Sequence, residues 1–248
     1  MPRPVNAIEI LHPDWDLPVR AGFTTRAGGM SPSPYDSLNL ALHVADDPAR
    51  AHENRRRLVA QAGLPEQPRW VAQVHGTRVV HAGEVECDVT EADAVWTDQP
   101  GQVCAVLVAD CLPILLADRA GGCVAAVHAG WRGLAAGILQ QAVATLPVAA
   151  SDLAACIGPC IGPEAYEVGP DVIDSIMRSD IQPVCHPSSR DSTRFQLDLA
   201  ATARDVLALA GVADIRRVGH CTHSDPARFF SYRRDGITGR MAGYITNR

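Results

Sequence analysis

The chain has 248 residues, 47% of them hydrophobic, with 22 basic and 28 acidic side chains and a formal net charge of -6. This length and apolar content predict a folded globular protein, and we expect one domain over residues 1–248. The negative balance excludes a general basic surface for nucleic acid or anionic lipid. Every basic residue is arginine, so chemistry that needs a lysine amine is excluded as well.

The first residues carry neither the apolar segment nor the small-residue cleavage site of a secretory signal. The longest apolar runs, 103–109 and 112–117, are too short to span a bilayer. These features predict a cytoplasmic protein that does not contact membranes. In that compartment the 8 cysteines are expected to be reduced thiols or metal ligands rather than disulfides.

Apolar periodicity and breaker residues predict the secondary structure. Asp47 and Pro48 have the types expected at the start of a helix, and Gly63 the type expected after its end. In chain order we predict a strand at 19–24, a helix at 48–62, strands at 70–74, 79–81, 94–97, 103–108, 113–117 and 124–127, helices at 131–146 and 199–210, and a strand at 215–219.

The glycine-containing turn 118–122 lies between two predicted strands and indicates an antiparallel hairpin. Several strands follow one another without an intervening helix, which disfavours a strictly alternating parallel sheet. We therefore predict an α/β protein of the layered α+β sandwich kind, with a mixed sheet flanked by helices.

Three apolar strands end next to a potential metal ligand: His75, Cys111 and His128. Imidazole and thiolate suit zinc, and catalytic zinc sites use three protein ligands. Asp110 precedes the thiol at the end of an apolar run and needs a partner if it is buried, which a cation would supply. A metal-free nucleophilic thiol at Cys111, with His75 or His128 as its base, is an alternative that spacing does not separate.

Arginines form a second group of candidates. Small residues flank Arg26 in TTRAGG and Arg132 in AGWRG, so a ligand can approach each guanidinium, which binds phosphate or carboxylate through two hydrogen bonds. Arg233, Arg234 and Arg240 near the C-terminus are further candidates. This group predicts an anionic substrate.

The remaining cysteines give weaker signals. Cys156 and Cys160 are not spaced like a zinc knuckle or redox pair, so we interpret them as packed residues. Cys221 and His223 could form a second ligand pair, but the adjacent Asp225 and Pro226 indicate a turn, and we interpret the pair as structural or facing substrate.

The motifs GFTTRAGGMS, SLNL, QVHG, ADAVWTD, ADCLPILL, VAAVHAGWRGL, IGPCIG, YEVG and CTHSDPARFFSYRRDGITGRMAG run from residue 22 to residue 243. Together they resemble the YfiH-like proteins, variously called multicopper polyphenol oxidoreductases or laccases, purine nucleoside phosphorylases and peptidoglycan editing factors. His223 departs from this pattern, because many relatives carry tyrosine there.

The resemblance implies an α/β sandwich with one zinc ion held by His75, Cys111 and His128. It also implies phosphorolysis of adenosine, inosine, guanosine and methylthioadenosine, together with adenosine deamination. Asn39 of SLNL joins Arg26, Arg132, Arg233 and Arg234 in the implied substrate-binding set. Copper-dependent polyphenol oxidation, an older label, requires more ligands than this trio provides, so zinc is favoured over copper.

Zinc-dependent nucleoside phosphorolysis is therefore the leading prediction, with a nucleoside and phosphate as small-molecule partners, no nucleic acid, and a monomer or homodimer as the assembly. A Cys/Zn hydrolase that edits cell-wall peptidoglycan precursors is the alternative enzyme. A non-enzymatic metal-binding module is the third reading, although a structural zinc site normally closes with a fourth protein ligand.

Overall fold

A computed structural model describes residues 7–247, and these form thirteen β-strands and six α-helices. The strands are β1 Ile10–Leu11, β2 Val19–Thr24, β3 Val79–His81, β4 Ala94–Thr97, β5 Cys104–Val108, β6 Leu112–Asp118, β7 Val124–Ala129, β8 Leu153–Ile157, β9 Glu167–Val168, β10 Cys185–Pro187, β11 Phe195–Leu197, β12 Asp214–Arg217 and β13 Met241–Asn247. The helices are α1 Pro48–Ala62, α2 Trp131–Ala136, α3 Ile138–Thr145, α4 Pro170–Met177, α5 Leu199–Leu209 and α6 Tyr232–Asp235.

The strands form three sheets. One contains four strands in the order β1-β2-β13-β5, a second contains six in the order β12-β8-β6-β7-β4-β3, and a small third sheet has the order β10-β11-β9. The predicted hairpin is confirmed, because β6 and β7 pair antiparallel with Leu112 opposite Ala129. β12 pairs with β8, and β3 with β4, in parallel. The larger sheet is therefore mixed, and the predicted fold class is confirmed.

The two large sheets pack face to face, and helices cover their outer faces. Alternate residues of β5 show this: Cys104 and Val106 belong to the core between the sheets, whereas Ala105 and Leu107 belong to a core shared with Leu58 of α1. The six-stranded sheet likewise buries one face against helices α3 and α5. Burial on both faces explains why these strands are continuous apolar runs in the sequence.

Helix α1 begins and ends where its sequence predicts. The Asp47 carboxylate accepts a hydrogen bond from the backbone N–H of Ala49, and Pro48 occupies the first helical position. Gly63 closes the helix in the left-handed conformation with φ 60° and donates its N–H to the Val59 carbonyl. These local signals therefore suffice to define the helix boundaries.

The structure corrects two predicted elements. The expected helix 131–146 is interrupted at Gly137, whose φ of 92° separates α2 from α3. The expected strand 70–74 is not part of any of the described sheets. Its region makes only isolated β-bridges, Arg69 with Cys104 and Ala72 with Glu91. The reason is that the Gln73 side-chain amide, rather than the backbone of a neighbouring strand, bonds both the N–H and the C=O of Leu107.

Helix α4 is not predicted from the sequence. No helix within residues 7–247 has the length and hydropathy needed to cross a bilayer.

Candidate metal centre and cavity

Three segments that are distant in sequence meet at one end of the six-stranded sheet. His75 lies in the loop before β3, Cys111 in the turn between β5 and β6, and His128 on β7. One ligand atom from each lies within 4.8 Å of the others. The Cys111 Sγ is 3.9 Å from His75 Nε2, and the two imidazole rings meet edge to face with centroids 4.8 Å apart. This group could therefore hold a metal ion.

Asp93, immediately before β4, orients two of these ligands and is itself fully buried. Its Oδ1 accepts a hydrogen bond from His128 Nδ1 at 2.8 Å and from the His75 backbone N–H at 3.0 Å. Its Oδ2 accepts one from the Gly76 N–H at 2.7 Å. Because Asp93 occupies Nδ1 of His128, Nε2 is the ring nitrogen left for a metal.

Two residues of the site have a left-handed backbone, which side chains other than glycine adopt at an energetic cost. His75 has φ 61° and Asp110, next to Cys111, has φ 88°. The Asp93 carboxylate holds the first by accepting the N–H groups of residues 74–76. The backbone at His75 is therefore held by hydrogen bonds to a residue that is distant in sequence.

The Asp110 carboxylate is satisfied without a cation. It accepts hydrogen bonds from Thr222 Oγ1 at 2.6 Å, Ser231 Oγ at 3.0 Å and the Arg233 N–H at 2.7 Å. Three protein donors thus supply the partners that a cation was expected to supply to a buried Asp110. They also attach the C-terminal segment to the turn that carries Cys111.

Gly130 leaves space for the ligands. A Cβ at this position would lie 3.0 Å from both Cys111 Sγ and His75 Cδ2, closer than most real Cβ contacts. Since Gly130 follows β7 and begins the turn into α2, the backbone passes directly beside the ligand atoms. Glycine is the residue that permits this approach.

The Cys111 and His128 side chains form a coupled pair. Burial raises the pKa of the Cys111 thiol, but His128 and His75 more than offset this and lower it to about 6. Burial lowers the pKa of His128, whereas Cys111 and Asp93 raise it to about 9. These contacts favour the thiolate form of Cys111, which is the form that ligates metals and attacks electrophiles.

A cavity of about 610 Å³ opens above His75 and His128. This volume lies in the usual range for a small-molecule site. Its wall carries three arginines, two tyrosines and a further histidine, namely Arg132, Arg233, Arg240, Tyr166, Tyr232 and His43. The concentration of guanidinium groups suits an anionic ligand.

The three arginines of the cavity differ in how firmly they are held. Within residues 7–247, the Arg132 guanidinium makes no hydrogen bond or ion pair, and it lies 4.5 Å from the ring centroid of Trp131. Arg233 donates to the Glu167 carbonyl at 2.9 Å, and Arg240 donates to the Thr238 carbonyl at 2.8 Å. Arg132 is thus fully available to a ligand.

The other predicted substrate-binding residues do not line this cavity. Arg26 forms an ion pair with Asp36 at 3.0 Å and donates to the Pro226 carbonyl at 3.0 Å. Arg234 donates to the carbonyls of residues 222, 223 and 229. The buried side chain of Asn39 accepts the Arg240 N–H at 3.0 Å. In this structure Arg26 and Arg234 bind protein loops, and Asn39 positions the backbone of a cavity arginine.

The remaining candidates lie apart from the metal group. Cys221 faces a second cavity of about 430 Å³, where its Sγ accepts the Gly162 N–H at 3.1 Å. Cys156 and Cys160 are buried, in agreement with their interpretation as packed residues. Within the described residues, His75, Cys111 and His128 form the one group of three potential metal ligands. Three ligands fit a single ion and fall short of a multicopper cluster.

Sequence reasoning missed Asp93 and Tyr166. Asp93 lies in the ADAVWTD motif, directly before a predicted strand, whereas the three ligands were selected because they lie at strand ends. A search for the carboxylate that usually orients a ligating histidine would have pointed to it. Tyr166 begins the YEVG motif, but a single tyrosine gives no metal-ligand or anion-binding signal in the sequence.

Fold and site together define a mixed α/β protein with one three-ligand group beneath an arginine-lined cavity. Residues 20–248 match the multi-copper polyphenol oxidoreductase laccase family, and the chain belongs to this family. It is 47% identical over 243 residues to the purine nucleoside phosphorylase PA4543 of Pseudomonas aeruginosa, covering 95% of this chain and 97% of that protein.

Two further comparisons cover nearly the whole chain. The purine nucleoside phosphorylase YfiH of Escherichia coli is 43% identical, over 96% of this chain and 98% of the relative. The crystal structure of Neisseria meningitidis protein NMB0706 superposes with a TM-score of 0.88 at 42% identity, covering 96% of this chain and 98% of the other. The resemblance to the YfiH-like family inferred from the motifs is thereby confirmed.

Proposed function

We propose that this chain is a purine nucleoside phosphorylase acting on adenosine, inosine, guanosine and methylthioadenosine. In this reaction the bond between ribose C1′ and purine N9 breaks, and a bond forms between C1′ and a phosphate oxygen. The products are the free purine, which takes up a proton, and the sugar 1-phosphate. The names of the relatives in Pseudomonas aeruginosa and Escherichia coli support this activity.

One observation carries the proposal: Arg132, whose guanidinium has no hydrogen-bond or ion-pair partner among residues 7–247, lines the same cavity as His75 and His128 of the metal-binding group. Arg132, Arg233 and Arg240 would neutralise the charge of inorganic phosphate, and guanidinium groups bind its oxygens in pairs. The cavity of about 610 Å³ has room for a nucleoside beside the anion.

The proposed metal is zinc, held by His75, Cys111 and His128. Two imidazoles and a thiolate are ligands that zinc prefers. Asp93, which accepts a hydrogen bond from His128, is the kind of carboxylate that commonly orients a zinc-binding histidine. When bound, zinc supplies a Lewis acid. The chain's own part is to hold Cys111 ionised and to fix the His128 tautomer through Asp93. Adenosine deamination is proposed as a side activity of the same site.

The test is to incubate purified protein with inosine, with and without phosphate, and to separate products by chromatography. We expect hypoxanthine and ribose 1-phosphate to form when phosphate is present, and no base release in its absence. Base release at an equal rate without phosphate, accompanied by free ribose, would identify a hydrolase instead. Inosine left intact under both conditions would refute the proposal.

Matched cysteine variants connect the activity to the site. Cys111→Ala should abolish phosphorolysis and reduce the zinc content, measured by elemental analysis, to near zero. Cys87→Ala, at an exposed thiol outside the cavity, should retain both. Retention of zinc and activity by Cys111→Ala would exclude the thiol as ligand.

A further inference from the structure

Tyr166 is only 8% exposed, yet it lines the same cavity as Arg132, Arg233 and Arg240. Within the described residues, its hydroxyl has no hydrogen-bond partner, and its oxygen is not fully enclosed by protein atoms. Its phenol oxygen is therefore accessible from the cavity, where a ligand can supply the missing partner.

The surroundings of the phenol indicate which part of a ligand it meets. The Arg233 guanidinium lies over the Tyr166 ring, 5.0 Å from its centroid. The hydroxyl is also within electrostatic range of Cys111, Asp110 and Arg132. The phenol thus lies against the guanidinium of Arg233 and in the same cavity as Arg132, so an anion bound there would meet two positive charges.

This arrangement is rigid before any ligand binds. The Tyr166 N–H donates to the Pro163 carbonyl at 3.1 Å, and its own carbonyl accepts the Leu197 N–H at 3.0 Å. Arg233 is held at both ends, by the Glu167 carbonyl and by the Asp110 carboxylate. A preorganised donor loses little conformational freedom on binding, which favours its use in recognition.

We propose that the Tyr166 hydroxyl donates a hydrogen bond to the substrate phosphate, which Arg132 and Arg233 bind at the same time. Tyr166 is then a phosphate-binding residue. A tyrosine is protonated at neutral pH and supplies a hydrogen-bond donor without adding charge, whereas each arginine supplies donors together with a positive charge. This inference rests on the proposed phosphorolysis, because that reaction brings phosphate into the cavity.

The test compares Tyr166→Phe with Tyr244→Phe in the zinc-loaded protein. Both variants delete one tyrosine hydroxyl that has no hydrogen-bond partner among residues 7–247, but the Tyr244 hydroxyl is enclosed in the core beside β5 and lies outside the cavity. Phenylalanine keeps the ring beneath Arg233, and melting temperatures verify that both variants fold. Titration calorimetry with inorganic phosphate, without nucleoside, gives the dissociation constants.

Phosphate should bind roughly tenfold more weakly to Tyr166→Phe, as expected for loss of a hydrogen bond to a charged group. Its KM for phosphate should rise by a similar factor while its KM for inosine stays the same, and Tyr244→Phe should match the unmodified protein in every measurement. Unchanged phosphate affinity, or a rise confined to the KM for inosine, would overturn the inference.

Failure of this inference is distinguishable from failure of the proposed function. If the unmodified protein phosphorolyses inosine and Tyr166→Phe binds phosphate equally well, the role of Tyr166 is wrong and the activity stands. If the unmodified protein binds phosphate through Tyr166 without phosphorolysis, the activity is wrong and the anion contact stands.

Discussion

Asp93 and His128 are joined twice across the pairing of β4 and β7. The His128 Nδ1 donates to Asp93 Oδ1 at 2.8 Å, and the His128 backbone N–H donates to the Asp93 carbonyl at 2.7 Å. The carboxylate also accepts the backbone N–H of His75. One buried carboxylate thus orients one proposed metal ligand through its side chain and another through its backbone.

Asp93→Asn should weaken zinc binding by about 10- to 100-fold, the usual effect of losing an outer-shell partner. The amide cannot serve as a charged acceptor for both His128 and the N–H groups of residues 74–76. Competition with a chromophoric chelator measures the affinity. Asp118→Asn is the matched control, because that buried carboxylate accepts two backbone N–H groups in the β6–β7 turn, away from the ligands. Equal zinc affinity in both variants would show that Asp93 does not support the metal.

Gly130→Ala should reduce zinc affinity with a smaller effect on folding. The new methyl group would lie about 3.0 Å from Cys111 Sγ and His75 Cδ2, so these side chains must move apart. The same chelator competition, combined with thermal unfolding, separates the two effects. Gly219→Ala is the control, because no atom lies within 4 Å of its added Cβ. An alanine at 130 that leaves the zinc affinity intact would contradict the tight packing.

In zinc-depleted protein, the alkylation rate of Cys111 should reach half its maximum near pH 6. Since His128 and His75 lower the thiol pKa to about 6, the reactive thiolate dominates above that pH and is lost as the pH falls below it. Iodoacetamide labelling followed by peptide mass spectrometry assigns the rate to Cys111. Cys156 and Cys160 should resist labelling, because burial raises the pKa of each to about 12. A midpoint between 8 and 9 would show that the histidines do not stabilise the thiolate.

Arg132→Lys should raise the KM for phosphate by about tenfold, equivalent to about 1.4 kcal/mol of binding free energy. An ammonium keeps the charge but cannot form the paired hydrogen bonds of a guanidinium. Arg26→Lys should leave this KM unchanged, because Arg26 is bound to Asp36 and the Pro226 carbonyl instead of lining the cavity. Kinetics at saturating inosine distinguish the two. The reverse pattern, with a change in Arg26→Lys alone, would place the anion elsewhere.

Local sequence predicts those parts of the protein that depend on neighbouring residues. Helix α1 follows from the carboxylate, proline and glycine at its ends, and the β6–β7 hairpin follows from the turn between two apolar runs. The choice of His75, Cys111 and His128 also came from local sequence, because each follows or ends an apolar strand. Motifs along most of the chain indicated the family.

Which of these residues meet follows from the folding of the chain and not from local sequence. Distance along the chain carries no information about distance in space, so the convergence of the three ligands depends on the pairing of β4, β6 and β7. The same holds for Asp93 and for the arginines. Small flanking residues favoured Arg26 and Arg132 equally in the sequence, but in the fold Arg132 lines the cavity and Arg26 forms an ion pair with Asp36. A guanidinium binds whichever acceptor the fold brings near it, and the local sequence does not record that acceptor.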